Sequence, residues 1–100
     1  MTGLLNSDIE FICSLLTKYP NVLEAILFGS RAKGTHHPGS DVDIVLKGID
    51  IEQSVLQIST YLNQESPLPY QFDVLDFNSI DNKELVEHIA RVGISLYKKI

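Results

Sequence analysis

Three carboxylates in strand-like segments are the residues of this chain whose types and spacing could support chemistry. Asp41 and Asp43 are separated by one apolar residue, and Asp73 lies in a later segment of similar character. Side chains two residues apart on a strand point the same way, with Cα atoms roughly 6.6 Å apart. Clustered carboxylates disfavour one another's charge and attract cations, and two-metal phosphoryl-transfer sites keep their ions about 3.5–4 Å apart. The three acids therefore predict a site for divalent metal ions such as Mg²⁺.

A glycine-serine pair precedes the first two acids and could bind phosphate. Gly29 and Ser30 follow an apolar segment at a point where a helical turn could begin. Exposed backbone N–H groups at such a turn suit an anion, and glycine lets a phosphate approach the backbone closely. Arg31 could neutralise triphosphate charge, with Lys33 a weaker candidate. A nucleotide held there, with its triphosphate bridged by the metal ions, would be open to attack at the α-phosphate with release of pyrophosphate.

Hydrophobic periodicity predicts the elements that must position these residues. Helices are predicted over residues 7–19, 51–64 and 82–92, strands over Val22–Phe28, Asp41–Lys47 and Tyr70–Phe77, one helical turn over residues 30–34, and a short strand or extended tail over Ile94–Tyr97. Predicted helix ends are a Ser7–Glu10 capping box, N-caps at Asp50 and Asp81, and a stop at Gly93. This order of elements is typical of a layered α/β sheet domain.

Strand alternation predicts the face on which the acids lie. Within segment 42–46 the alternate apolar residues share one face, and Asp41 and Asp43 share the other. If the apolar residues of the third strand face the same helices, Asp73 lies on the same side as the first two acids. Asp76 has the opposite parity, which indicates a strand-end or turn residue.

The composition of the whole chain limits the classes of protein to which it can belong. The chain has 100 residues, a formal net charge of −5 and one cysteine, which favours a single domain over residues 1–100 without an internal disulfide. Nucleic-acid-binding proteins usually carry a basic stripe, whereas the only adjacent basic pair here is Lys98–Lys99. Stable nucleic-acid binding is therefore not expected, and a small substrate or a protein partner is favoured. With no signal pattern and no membrane-length apolar run, the sequence predicts a cytoplasmic protein without membrane contact.

The order of these motifs is similar to that of a known superfamily. Phe28-Gly29-Ser30, then ten residues, then Asp41-Val42-Asp43-Ile44, and a later Phe72-Asp73-Val74 resembles the signature of the nucleotidyltransferase superfamily that includes DNA polymerase beta. GSRAKG with SDVD in a short chain resembles the minimal nucleotidyltransferases, the MNT proteins of bacteria and archaea. One departure is Lys33, where many relatives carry arginine.

The resemblance implies a fold, a site and a partner. The fold is a mixed β-sheet flanked by helices. Asp41, Asp43 and Asp73 would be the metal-binding and catalytic residues with two Mg²⁺ ions. Gly29 and Ser30 would bind ATP or another NTP, and Arg31 matches the arginine common in the narrower group. MNT proteins often accompany a helical HEPN toxin as its antitoxin and can transfer AMP onto it. The resemblance thus implies transfer of a nucleoside monophosphate, AMP from ATP, onto a HEPN partner.

Two alternatives to this function stay open. The oligomeric state, either a homo-oligomer or a hetero-oligomer, is also open. The chain could be an antitoxin that neutralises its partner by binding alone, with a vestigial or nucleotide-sensing pocket. It could also transfer a nucleotide to a small molecule such as an aminoglycoside, which the missing substrate domain disfavours.

Other motif interpretations are weaker. The segment from Gly29 to Gly34 imitates a P-loop but has Thr35 in place of the lysine. His36 and His37 lack partners at metal-ligand spacing.

Overall fold

A four-stranded mixed sheet contains the predicted strand segments. The computed structural model describes residues 2–100. Its elements are α1 (Asn6–Leu16), β1 (Val22–Phe28), α2 (Gly29–Lys33), β2 (Val42–Gly48), α3 (Glu52–Gln64), β3 (Phe72–Asp76), a 3₁₀ turn (Phe77–Ser79), α4 (Lys83–Val92) and β4 (Ile94–Lys98). The strand order is β3-β2-β1-β4. β1 is antiparallel to β2 and β4, and β2 is parallel to β3, so α3 forms the crossover that a parallel pair requires. The predicted α/β fold with a mixed sheet is confirmed.

The two faces of the sheet bury separate apolar clusters. The larger cluster joins α1 and α3 to the sheet, and it includes Leu16, Ile44, Leu46, Ile58 and Leu62. The smaller cluster lies under α4 and consists of Ile26, Phe28, Val45 and Ile89. Alternate residues of β2 therefore enter different clusters, as predicted. Strand parity places Asp43 on the face that carries α4.

The start of α1 differs from the prediction. The N-cap is Leu5, and its N–H donates to the carboxylate of Asp8 at 2.9 Å. The predicted Ser7–Glu10 capping box is therefore wrong. Asp8 is 5% exposed and also accepts a hydrogen bond from the Tyr70 hydroxyl at 2.6 Å, so a tertiary contact fixes this helix end. The helix also ends earlier, at Leu16 rather than residue 19.

Two other predicted caps are wrong, and one helix end is confirmed. Asp50 has φ +53 and precedes Ile51, the buried N-cap of α3, which makes no side-chain cap bond. Burial of Ile51 thus sets the start of α3. Asn82, not Asp81, caps α4, because its side chain accepts from two N–H groups of the first turn at 2.8 and 3.3 Å. Gly93 ends α4 as predicted. No helix in the described part of the chain combines the length and apolarity needed to cross a membrane.

Candidate active site

The parallel pairing of β2 and β3 places two of the three acids side by side. Asp43 and Asp73 are direct partners in the strand register, and neighbouring strands lie about 4.8 Å apart. Asp41 is exposed and lies one residue before β2 begins. Burial, followed by the negative charges of Asp73 and Asp41, raises the pKa of Asp43. The structure therefore brings the three predicted acids within electrostatic reach of one another.

The donor set of this acidic cluster suits a hard divalent cation. Carboxylate oxygens are the ligands that Mg²⁺ prefers, and Mg²⁺ is usually held by one or two carboxylates together with substrate phosphates rather than by an all-protein cage. Within residues 2–100, no group of three or more acidic, imidazole or thiol side chains is placed so that it could hold a metal ion by itself. Burial and two neighbouring negative charges raise the pKa of the half-buried Asp43, so a bound cation would stabilise its ionised form. The residues present therefore fit the metal that the family implies.

Gly29 packs directly against the acidic cluster. It begins α2 with φ +74, a backbone region that non-glycine residues seldom adopt. A Cβ added at this position would overlap Oδ2 of Asp43 and lie 3.1 Å from its Cγ. β1 and β2 produce this approach, since Phe28 is the strand partner of Asp43. The chain thus needs glycine at residue 29 for both its backbone conformation and its close contact with Asp43.

His88 of α4 reaches the same turn, although no pattern in the sequence points to it. The Gly29 N–H donates to Nε2 of His88 at 3.1 Å. The imidazole also meets the Phe28 ring edge-on, with 6.3 Å between ring centroids. The two bonded residues are 59 positions apart in the chain, so no local spacing could reveal the contact. An anion that binds the Gly29 amide would have to displace this imidazole.

Arg31 occupies a different environment from Gly29 and Ser30. It is 2% exposed, and its Nε and Nη2 donate to the Ser40 carbonyl at 3.3 and 2.9 Å. Its Nη1 donates to the Thr2 carbonyl at 2.9 Å, and its guanidinium carbon lies 5.1 Å from the centroid of the Tyr70 ring. The structure does not bring the Arg31 side chain to an exposed surface, and its assignment as a nucleotide ligand stays a prediction.

Asp76 lies outside the acidic cluster, as its parity predicts. It ends β3, and its carboxylate accepts a hydrogen bond from the Asn78 N–H at 2.9 Å. Asp76 therefore caps the 3₁₀ turn. Asp76 has the same residue type as Asp73 and lies on the same strand but outside the acidic cluster, so Asp76→Asn is a matched control for Asp73→Asn.

Comparison with known proteins identifies the family. Residues 10–100 match the family described as polymerase beta, nucleotidyltransferase. The chain belongs to this nucleotidyltransferase family. A search of the curated proteins found none that matches this nucleotidyltransferase.

Several solved structures similar to this nucleotidyltransferase are toxin–antitoxin complexes. A toxin–antitoxin structure with AMP-PNP is 26% identical, with a TM-score of 0.74 over 95% of this chain and 75% of that chain. A mutant toxin–antitoxin MntA-HpeT complex is 26% identical, with a TM-score of 0.75 over the same shares of 95% and 75%. A tri-AMPylated Shewanella oneidensis HEPN toxin in complex with MNT antitoxin is 22% identical, with a TM-score of 0.68 over 91% of this chain and 70% of that chain, and supports the fold. The predicted resemblance to MNT proteins is confirmed.

Proposed function

We propose that this chain is a Mg²⁺-dependent nucleotidyltransferase that moves a nucleoside monophosphate, AMP from ATP, onto a HEPN toxin partner. It would act as the antitoxin of a toxin–antitoxin pair. The observation that carries the proposal is the pairing of Asp43 with Asp73, with the Gly29 turn packed against Asp43. Family membership supports nucleotidyl transfer. The likeness to a toxin–antitoxin structure with AMP-PNP, an ATP analogue, supports the nucleotide, and the likeness to the MntA-HpeT complex supports the partner.

Each element of the site has a task in this proposal. Asp41, Asp43 and Asp73 would hold two Mg²⁺ ions, which would supply charge neutralisation of the triphosphate and polarisation of the α-phosphate. The backbone of Gly29 would approach the phosphates because no side chain stands in the way, and the Ser30 hydroxyl would donate a hydrogen bond to them. The acceptor oxygen would form a bond to the α-phosphorus, and pyrophosphate would leave. We also propose that residues 1–100 act as a single minimal nucleotidyltransferase domain, since one sheet contributes to both apolar clusters.

Label transfer tests this function. The chain is incubated with Mg²⁺ and ATP labelled at the α-phosphate, with and without a HEPN-family helical protein as the candidate acceptor. Label is expected on the partner, and Asp43→Asn and Asp73→Asn should each abolish it. The matched control Asp76→Asn should retain transfer, because the asparagine carbonyl can still accept from the Asn78 N–H. Transfer that survives Asp43→Asn would overturn the metal-dependent mechanism. A tight complex without label would instead support an antitoxin that acts by binding alone.

A further inference from the structure

Arg31 and Asp8 are the two charged residues that are buried in the part of the chain that the structure describes, with 2% and 5% of their surface exposed. They are connected through Tyr70. The Tyr70 hydroxyl donates to Asp8 at 2.6 Å, and the guanidinium of Arg31 lies 5.1 Å from the centroid of the Tyr70 ring. Removing a charge from water costs several kcal/mol unless hydrogen bonds compensate it. The hydrogen bonds of the buried guanidinium therefore indicate which part of the chain it holds in place.

The guanidinium holds the peptide that leads into Asp41. Two of its nitrogens, Nε and Nη2, converge on the Ser40 carbonyl at 3.3 and 2.9 Å. That carbonyl belongs to the peptide group that joins Ser40 to Asp41. Asp41 immediately precedes β2. The next residue, Val42, donates its N–H to the Gln71 carbonyl at 2.9 Å, which connects the start of β2 to the chain before β3. Asp41 is thus anchored by the sheet on one side and by Arg31 on the other.

Arg31 also belongs to the helix that begins at the phosphate-binding turn. It lies two residues after Gly29 in the five-residue α2. One short helix therefore carries both the glycine that contacts Asp43 and the guanidinium that binds the carbonyl of the Ser40–Asp41 peptide. Through this connection, the position of the exposed Asp41 is tied to the position of the turn.

We propose that Arg31 is a positioning residue that fixes Asp41 relative to the Gly29 turn and so completes the metal site. Asp8 and Tyr70 hold the guanidinium in place. This inference rests on the proposed function, in which Asp41 binds the metal ion. It differs from direct phosphate binding by Arg31, because three of the Arg31 nitrogens already donate to backbone carbonyls and the side chain is 2% exposed.

The test compares metal affinity with nucleotide affinity in Arg31→Lys. Lysine keeps the positive charge but lacks the planar fork that reaches two carbonyls at once. Mn²⁺ affinity is measured by paramagnetic resonance without nucleotide, and ATP affinity is measured by calorimetry in chelator. Loss of a group that orients a metal ligand typically costs about 10–100-fold in metal affinity. We expect that loss for Mn²⁺ and less than about a twofold change for ATP. The control Arg91→Lys makes the same substitution at an exposed position of α4 and should change neither affinity.

Two further variants keep the outcomes distinct. Tyr70→Phe retains the ring under the guanidinium but removes the hydrogen bond to Asp8, so it should weaken Mn²⁺ binding in the same pattern to a smaller extent. It also provides the test if Arg31→Lys does not fold. Loss of ATP affinity in chelator with unchanged Mn²⁺ affinity would overturn positioning and make Arg31 a phosphate ligand. If Asp43→Asn abolishes Mn²⁺ binding and Arg31→Lys leaves the Mn²⁺ affinity unchanged, this inference alone fails. If Asp43→Asn leaves Mn²⁺ binding unchanged, the proposed function fails.

Discussion

Replacement of Gly29 by alanine should separate the cost of backbone strain from the cost of disturbing the acidic cluster. Gly29 has φ +74 and Gly34, at the other end of α2, has φ +81. A non-glycine residue in this left-handed region costs roughly 1–2 kcal/mol. For a domain of about 100 residues each kcal/mol lowers Tm by about 4–8 °C. Gly29→Ala and Gly34→Ala should therefore both lower Tm by about 4–16 °C.

The two variants should differ in activity. A Cβ at residue 34 meets nothing within 4 Å, whereas a Cβ at residue 29 would overlap the Asp43 carboxylate. That carboxylate is the end of a flexible side chain and can rotate away. The clash should therefore change the free energy of unfolding little, but it displaces the carboxylate that we propose as a metal ligand. Misplacement of a catalytic group by about 1 Å can cost about 100-fold in rate. Gly29→Ala should lose about that much transfer activity, and Gly34→Ala should stay within about twofold of the parent.

The assay is initial-rate label transfer at saturating Mg²⁺ and ATP, with melting curves recorded on the same samples. Equal transfer rates for Gly29→Ala and Gly34→Ala, at similar Tm, would refute the argument. That result would mean that the contact between the turn and Asp43 has no part in the reaction.

Three further predictions concern the acidic cluster and one helix end. Because the pKa of Asp43 is raised above its ordinary 3.8, the folded state binds more protons than the unfolded state just above that pH, and stability falls as Asp43 ionises. Without metal, Asp43→Asn should therefore raise Tm at neutral pH, and melts recorded well below pH 3.8 should show the difference closing. Mg²⁺ with ATP at about 100 times Kd should stabilise the parent by about 2.7 kcal/mol, and an Asp41→Ala, Asp43→Ala double variant should lose most of that gain in a thermal-shift assay. Asn82→Ala should cost about 1 kcal/mol in urea unfolding; Asp81→Ala should cost almost nothing, and equal effects would contradict the assigned cap.

The sheet and the position of the acids were predictable because burial of both faces fixes strand parity. Val45 packs in the cluster under α4, while Ile44 packs in the cluster on the opposite face. The face on which Asp43 and Asp73 lie follows from the same alternation. β4 was predicted only as an alternative to an extended tail. Its residues are exposed or half-buried at the edge of the sheet, so alternation along it is weak.

The contacts that the sequence could not predict join residues far apart in the chain. Asp8 caps α1 in preference to Ser7, and its carboxylate is also held by Tyr70, 62 positions away. The contact of His88 with Gly29 spans 59 positions. The chemical type of Arg31 suggests a phosphate ligand, but its burial depends on how the loop before β2 folds back over α2. Local spacing carries no information about such contacts.

Anomalous diffraction from crystals grown with Mn²⁺ and AMP-PNP would show whether the three acids hold the metal ions. We expect two Mn²⁺ peaks about 3.5–4 Å apart, coordinated by carboxylates of Asp41, Asp43 and Asp73, with the phosphates against the Gly29 turn. Asp73→Asn crystals should lose at least one peak, whereas Asp76→Asn crystals should keep both. Peaks remote from these acids, or peaks unchanged in Asp73→Asn, would contradict the assignment of the acidic cluster as the catalytic metal site.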